Sequence, residues 1–170
     1  SHSSPGTPHR DRDQRLMSDW ASTTRLPVRV MLAEGLSVQG EIHLQPRVAA
    51  HDGSETPLEL LNRGDSFLPL SMAHGKVVFL SKAQMVALTW SEGGNFDDPI
   101  RRSAARSIRM EVMMVGGSEY QGTAVSELPP IRSRALDFLN ELESFFQLST
   151  AEGTVCLNRR FVRAVRPMPV

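Results

Sequence analysis

The segment ELLNRGDSFLPLSMAHG, residues 59–75, returns as DFLNELESFFQLSTAEG, residues 137–153, without a gap. Eight of the seventeen positions are identical, where roughly one would agree by chance. A chain that contains the same segment twice is constrained to one small unit built twice. The likeness continues on both sides. Upstream, LPVRVMLAEGLSVQGEIHL answers SIRMEVMMVGGSEYQGTAV, with Val38, Gln39 and Gly40 facing Tyr120, Gln121 and Gly122. Downstream, Val77–Leu88 answers Thr154–Val165, so that Leu80, Ser81 and Lys82 face Leu157, Asn158 and Arg159. Between these blocks the register slips by one or two residues. Hairpin loops tolerate such slips, whereas a one-residue shift inside a strand turns every side chain to the wrong face. The blocks are therefore strands and the slips are turns.

Alternation supports this. Val28, Val30 and Leu32 interleave with Arg29 and Met31 before Glu34-Gly35, and a second run carries Val38, Gly40, Ile42 and Leu44. The first copy then predicts a helical turn over 58–62 and strands over 66–72, 76–80 and 85–90. The second copy predicts strands over 108–112, 120–125, 144–150, 154–157 and 161–165, with a longer helical turn over 135–142. Five short strands per copy suit a small barrel, because closure removes exposed edges. The expected fold is mostly β: two tandem five-stranded barrels, each with a short helical turn before its third strand. Residues 1–25 are expected to be a disordered tail, 26–90 the first barrel, 91–106 a linker rich in Gly, Asp and Arg, and 107–170 the second barrel.

Charge narrows the functional classes. Nineteen basic and nineteen acidic residues cancel, so no global field draws the chain to nucleic acid or an anionic membrane. One cysteine, Cys156, excludes an internal disulfide and lies in a strand pattern, where a small core residue is the simpler reading. No apolar run approaches the ~20 residues that span a bilayer, and a cytoplasmic location is the default expectation.

The order of parts resembles the Sm/LSm small barrel, and more broadly the tandem small-barrel proteins of bacteria. Gly35, Gly40 and Asn62 stand in the order of the first Sm motif, with Lys82 in the bend of the second. In the second copy Gly117, Gly122, Asn140, Asn158 and Arg159 take those places. The chain departs from the Sm pattern in the long path from Gly40 to Asn62 and in having no Arg-Gly pair at either bend. The resemblance implies RNA contacts at Asn62, Lys82, Asn140, Asn158 and Arg159.

Read from the residues themselves, Asn62 and Asn140 are turn formers that bond nearby backbone. Together with Phe67, Gly75, Phe145 and Gly153 they define the repeat as architecture. Lys82, Asn158, Arg159, Arg160 and Arg163 are the candidate contacts for a nucleic acid or an acidic partner, because Arg159, Arg160, Arg163 and Arg166 make the last strand locally basic. Arg102 and Arg106 form the Arg-x-x-x-Arg pair with which PilZ domains clasp cyclic di-GMP, but of that family's second motif only Ser126 fits. The five histidines are scattered, with no spacing that makes a metal site or a triad, and are expected to be exposed. Trp90 reads as core, or else as a seam between the two units. The leading expectation is a non-enzymatic protein-interaction or assembly module, with no cofactor, metal or membrane. An Sm-type RNA-binding protein is the alternative, and a cyclic di-GMP sensor the third reading.

Overall fold

The computed structural model describes residues 23–46, 55–91, 106–126 and 135–169. Residues 1–22 of the expected tail and 92–105 of the expected linker, Arg102 among them, lie outside these residues, as does the side chain of Arg106; Thr24 and Arg25, placed in the tail, and Arg106, placed in the linker, instead begin strands. The first half runs β1 (Thr24–Leu32), β2 (Ser37–Leu44), α1 (Pro57–Asn62), β3 (Phe67–Ser71), β4 (Val77–Ser81) and β5 (Met85–Trp90). The second repeats that order as β6 (Arg106–Met114), β7 (Glu119–Ser126), α2 (Ala135–Asn140), β8 (Phe145–Thr150), β9 (Gly153–Asn158) and β10 (Val162–Pro167). Among the described residues the fold is mostly β, and every element falls where the repeat places it.

Local chemistry explains the elements. In β1, Leu26, Val28 and Val30 are buried while Arg25, Pro27 and Arg29 are exposed, the two-residue period of a strand with one face on a core. Helix α1 starts because the Thr56 side chain accepts the Glu59 amide (3.1 Å) and Pro57 supplies the preset φ of a first helical residue. It ends after six residues and buries Leu60 and Leu61. The turns after β1 and β3 hold Glu34-Gly35 and His74-Gly75, all four at positive φ.

All ten strands belong to one sheet in the order β10-β6-β7-β8-β9-β5-β1-β2-β3-β4. This corrects the expectation of two barrels. Strands β4 and β5, which would have to meet to close the first half, separate at a tight turn over Lys82–Gln84, and β5 pairs instead with β9 of the second half. Two of the four edges that closure would have removed, those of β5 and β9, are joined across the repeat, and β4 and β10 are left outermost. At two junctions the ladder narrows to one registered pair. β2 meets β3 at the single registered pair Glu41↔Ser71, and β7 meets β8 at its repeat equivalent, Thr123↔Ser149. Two apolar cores result, one under each half, and both are shared. The first contains Phe145 and Cys156 from the second half; the second contains Val86 and Ala87 from the first.

Candidate assembly interface

Polar and apolar contacts together form the seam between the two halves. Its backbone ladder pairs Ala87, Leu88, Thr89 and Trp90 with Leu157, Cys156, Val155 and Thr154. Trp90 is buried in the first core while its backbone belongs to the seam, so both readings of it hold. Burial is completed from the second half by Phe145, 3% exposed, and Cys156, fully buried.

Asn62 locks this arrangement. Its Nδ2 donates to the Phe145 carbonyl (3.1 Å), and its Oδ1 accepts from the Phe145 amide (2.9 Å). The expectation that Asn62 closes its own turn is therefore corrected: its amide reads the edge of β8, 83 residues away. A side-chain amide presents one acceptor and two donors in a plane, which matches the N–H and C=O of one extended residue. Asn158, 5% exposed, works from the opposite side. Its Nδ2 donates to the carbonyls of Lys82 (3.3 Å) and Met85 (2.9 Å), and its Oδ1 accepts from the Arg160 amide (3.0 Å).

Lys82 is buried, and its Nζ donates to the carbonyls of Leu60 (2.9 Å) and Arg63 (3.4 Å). Cations at a helix C-terminus stabilise the carbonyls left without intrahelical partners. Burial is the main cause that holds its amine below the ordinary lysine range. Arg159 does the equivalent job in the second half, its Nη1 donating to the Leu142 carbonyl (2.6 Å). Of the five expected charged or polar contacts, Lys82 and Asn158 are thus turned inward, which corrects their assignment to an external ligand. Arg159, Arg160 and Arg163 remain exposed, Arg160 lying over the Phe161 ring at 5.9 Å. Asn140 is also exposed.

Gly75, at φ +73°, serves a turn as expected. Gly153 does more: a Cβ there would stand 2.6 Å from the Trp90 carbonyl oxygen, so its lack of a side chain lets the two halves approach. Sequence reasoning placed Gly153 in a turn. Only the pairing of β5 with β9 reveals the second requirement.

His43 corrects the expectation of exposed histidines. It is 9% exposed, its Nε2 lies 2.6 Å from Ser71 Oγ, and its Nδ1 lies 3.2 Å from Thr23 Oγ1. Burial, then the nearby Arg25 charge, lowers its pKa and favours the neutral ring. Among the described residues no three His, Cys, Asp or Glu side chains gather to hold a metal. A shallow groove crosses the seam between Arg29, Met31, Thr89, Tyr120 and Glu152.

The seam makes Cys156 a reporter. Burial pushes its thiol far above the ordinary range, and the thiolate is the reactive form. A thiol-specific reagent is expected to label the native protein at least ~1,000-fold more slowly than the urea-unfolded chain, because reaction requires opening of β5 from β9. Rapid labelling under native conditions would contradict a closed seam.

Compared with protein-family models, curated proteins and solved structures, the chain gives no match. Among the described residues no helix is long and apolar enough to cross a membrane.

Proposed function

We propose that this chain is a non-enzymatic assembly module made of two Sm-like five-stranded units that bind proteins through strand edges. One observation carries the reading: the first half already recognises a strand edge, that of the second. The first half accepts β9 on β5, clamps Phe145 with Asn62 and takes Phe145 and Cys156 into its own core. A unit whose chief polar device is a backbone clamp is suited to β-strand addition, in which main-chain hydrogen bonds supply affinity. The Sm-type RNA reading keeps Asn140, Arg159, Arg160 and Arg163 as outward groups, while Asn62, Lys82 and Asn158 spend donors on this chain's own backbone. Nothing among the described residues favours the cyclic di-GMP reading.

The test is native mass spectrometry of the purified protein combined with affinity capture from cells. Self-association, or a retained protein that binds stoichiometrically when purified, is the expected result. A strictly monomeric protein that retains nothing would overturn the proposal. Oligonucleotide binding at low salt that is abolished by replacing Arg160 and Arg163 with Ala would favour the RNA reading instead.

A further inference from the structure

The internal seam joins two surfaces that each occur twice in the repeat, and only one surface of each kind is used. The first half contributes β5 and α1, and the second contributes β8 and β9. Their counterparts are β10 and α2 at one end of the sheet, and β3 and β4 at the other. Strands β10 and β4 are its two outermost strands.

The unused surfaces differ from the used ones in the manner of an unfilled interface. Phe145 and Cys156 are 3% and 0% exposed inside the seam. Phe67 and Phe79, which occupy the same repeat positions on β3 and β4, are 57% and 65% exposed, and Val77 beside them is 39% exposed. At the other end the same contrast appears. Leu58 packs against the first core, while its counterpart Leu136 is 68% exposed. Asn62 clamps a backbone 83 residues away, while its counterpart Asn140 is exposed and, among the described residues, makes no such bond. Phe161, Val162 and Val165 only partly cover the second core on this side.

We propose that the occupant of these surfaces is a second copy of this chain, its β4 added to β10 of the first in the register of the internal seam. This rests on the assembly reading above and names its partner. Transferring the β5–β9 pairing through the repeat sets Ala164 opposite Leu80, Val165 opposite Phe79 and Arg166 opposite Val78 of the incoming copy. Phe79 then covers the second core as Cys156 covers the first, Phe67 packs beside α2, and Asn140 meets the Phe67 backbone as Asn62 meets that of Phe145. Because the two surfaces differ, the contact is heterologous; repeated, it closes a ring or extends a filament. Two differences make it weaker than the internal seam. Arg163 stands where β5 has Val86, and Pro167 stands where β5 has Trp90. The Met168 amide bonds Arg109 O toward β6, so the donor that Pro167 lacks would have faced the incoming strand. The resulting contact is reversible, whereas the internal one is permanent.

A heterologous contact has a distinctive test. Phe67→Asp with Phe79→Asp spoils the β4 face and leaves the β10 face whole; Leu136→Asp with Asn140→Ala does the reverse. Sedimentation velocity at up to ~100 μM, a range that includes weak interfaces, is expected to give concentration-dependent oligomers for the wild type. Each double variant should be a monomer, with the association constant reduced at least ~10-fold. Mixed one to one, the two variants should form a heterodimer and nothing larger, since one intact face of each kind remains. Cooperative urea unfolding verifies that each variant folds; if the first does not, Phe79→Lys at its most exposed position gives the same readout. A monomeric wild type overturns the proposal, as do oligomers that persist in both variants or variants that fail to combine. If a different protein is captured while the wild type stays monomeric, the assembly reading survives and this inference does not.

Discussion

Asn62→Ala is expected to destabilise the monomer by about 2–4 kcal/mol, because two backbone groups lose their partners at once and each unsatisfied group in a partly buried site costs ~1–3 kcal/mol. Both bonds end on Phe145, at 3.1 and 2.9 Å, and Phe145 is a fixed member of the first core. Water cannot easily replace the amide there, since the site is flanked by the buried residues Leu60 and Leu61 of α1. The comparison that gives the prediction its force is Asn140→Ala. It alters the same repeat position, yet Asn140 is exposed, and a surface change of this kind is usually within ~0.5 kcal/mol. Urea unfolding followed by circular dichroism should move the midpoint strongly for the first variant and hardly at all for the second, measured at concentrations where the protein is monomeric. Equal effects would mean that Asn62 serves its own half rather than the seam. The loss should also be cooperative, because the clamp joins two shared cores that unfold together.

The repeat made the strands legible and left the joining of the halves hidden. Alternation in β1, the turn residues Glu34-Gly35 and His74-Gly75, and the slips between blocks are local signals, and each appears in the structure where it was expected. What two copies of a unit do to each other is not a local property. Nothing near Asn62 in sequence distinguishes an amide that closes its own turn from one that grips a strand 83 residues away. The expectation of closed barrels failed for the same reason: an edge can be satisfied by a neighbour as well as by itself. Lys82 was misread because a basic residue in a bend is ordinarily solvated, and only the approach of α1 supplies the Leu60 and Arg63 carbonyls that hold it inside. The clearest signal of the seam was available but coarse: Cys156 and Phe145 are apolar at positions where Phe79 and Phe67 are apolar too, so the composition of an edge was visible in both copies while its occupancy was visible in neither.

Gly40→Ala and Gly122→Ala are each expected to destabilise by ~3 kcal/mol or more, at the upper end of what overpacking costs. At Gly40 an added Cβ would stand 2.6 Å from the Ser71 carbonyl oxygen and 2.7 Å from Leu70 Cγ; at Gly122 it would stand 2.5 Å from the Ser149 carbonyl oxygen. The nearest atom in both cases is backbone, so no rotamer change relieves the clash, and β2 must move from β3, or β7 from β8. Those are the junctions where the sheet is held by one registered pair, Glu41↔Ser71 or Thr123↔Ser149, and a shift there also displaces Leu70 or Leu148 from its core. Gly64→Ala supplies the control, with no atom within 4 Å of its added Cβ. That variant is expected to lie within ~1 kcal/mol of the parent, and on the stable side, since alanine restricts the unfolded chain. Chemical denaturation of the three variants separates the two kinds of glycine. If Gly40→Ala and Gly64→Ala unfolded at the same urea concentration, the close approach of β2 to β3 at Gly40 would be refuted. Because β3 and β4 join the rest of the sheet through that junction, a shift there also moves Phe67 and Phe79, so the variant should weaken self-association together with stability.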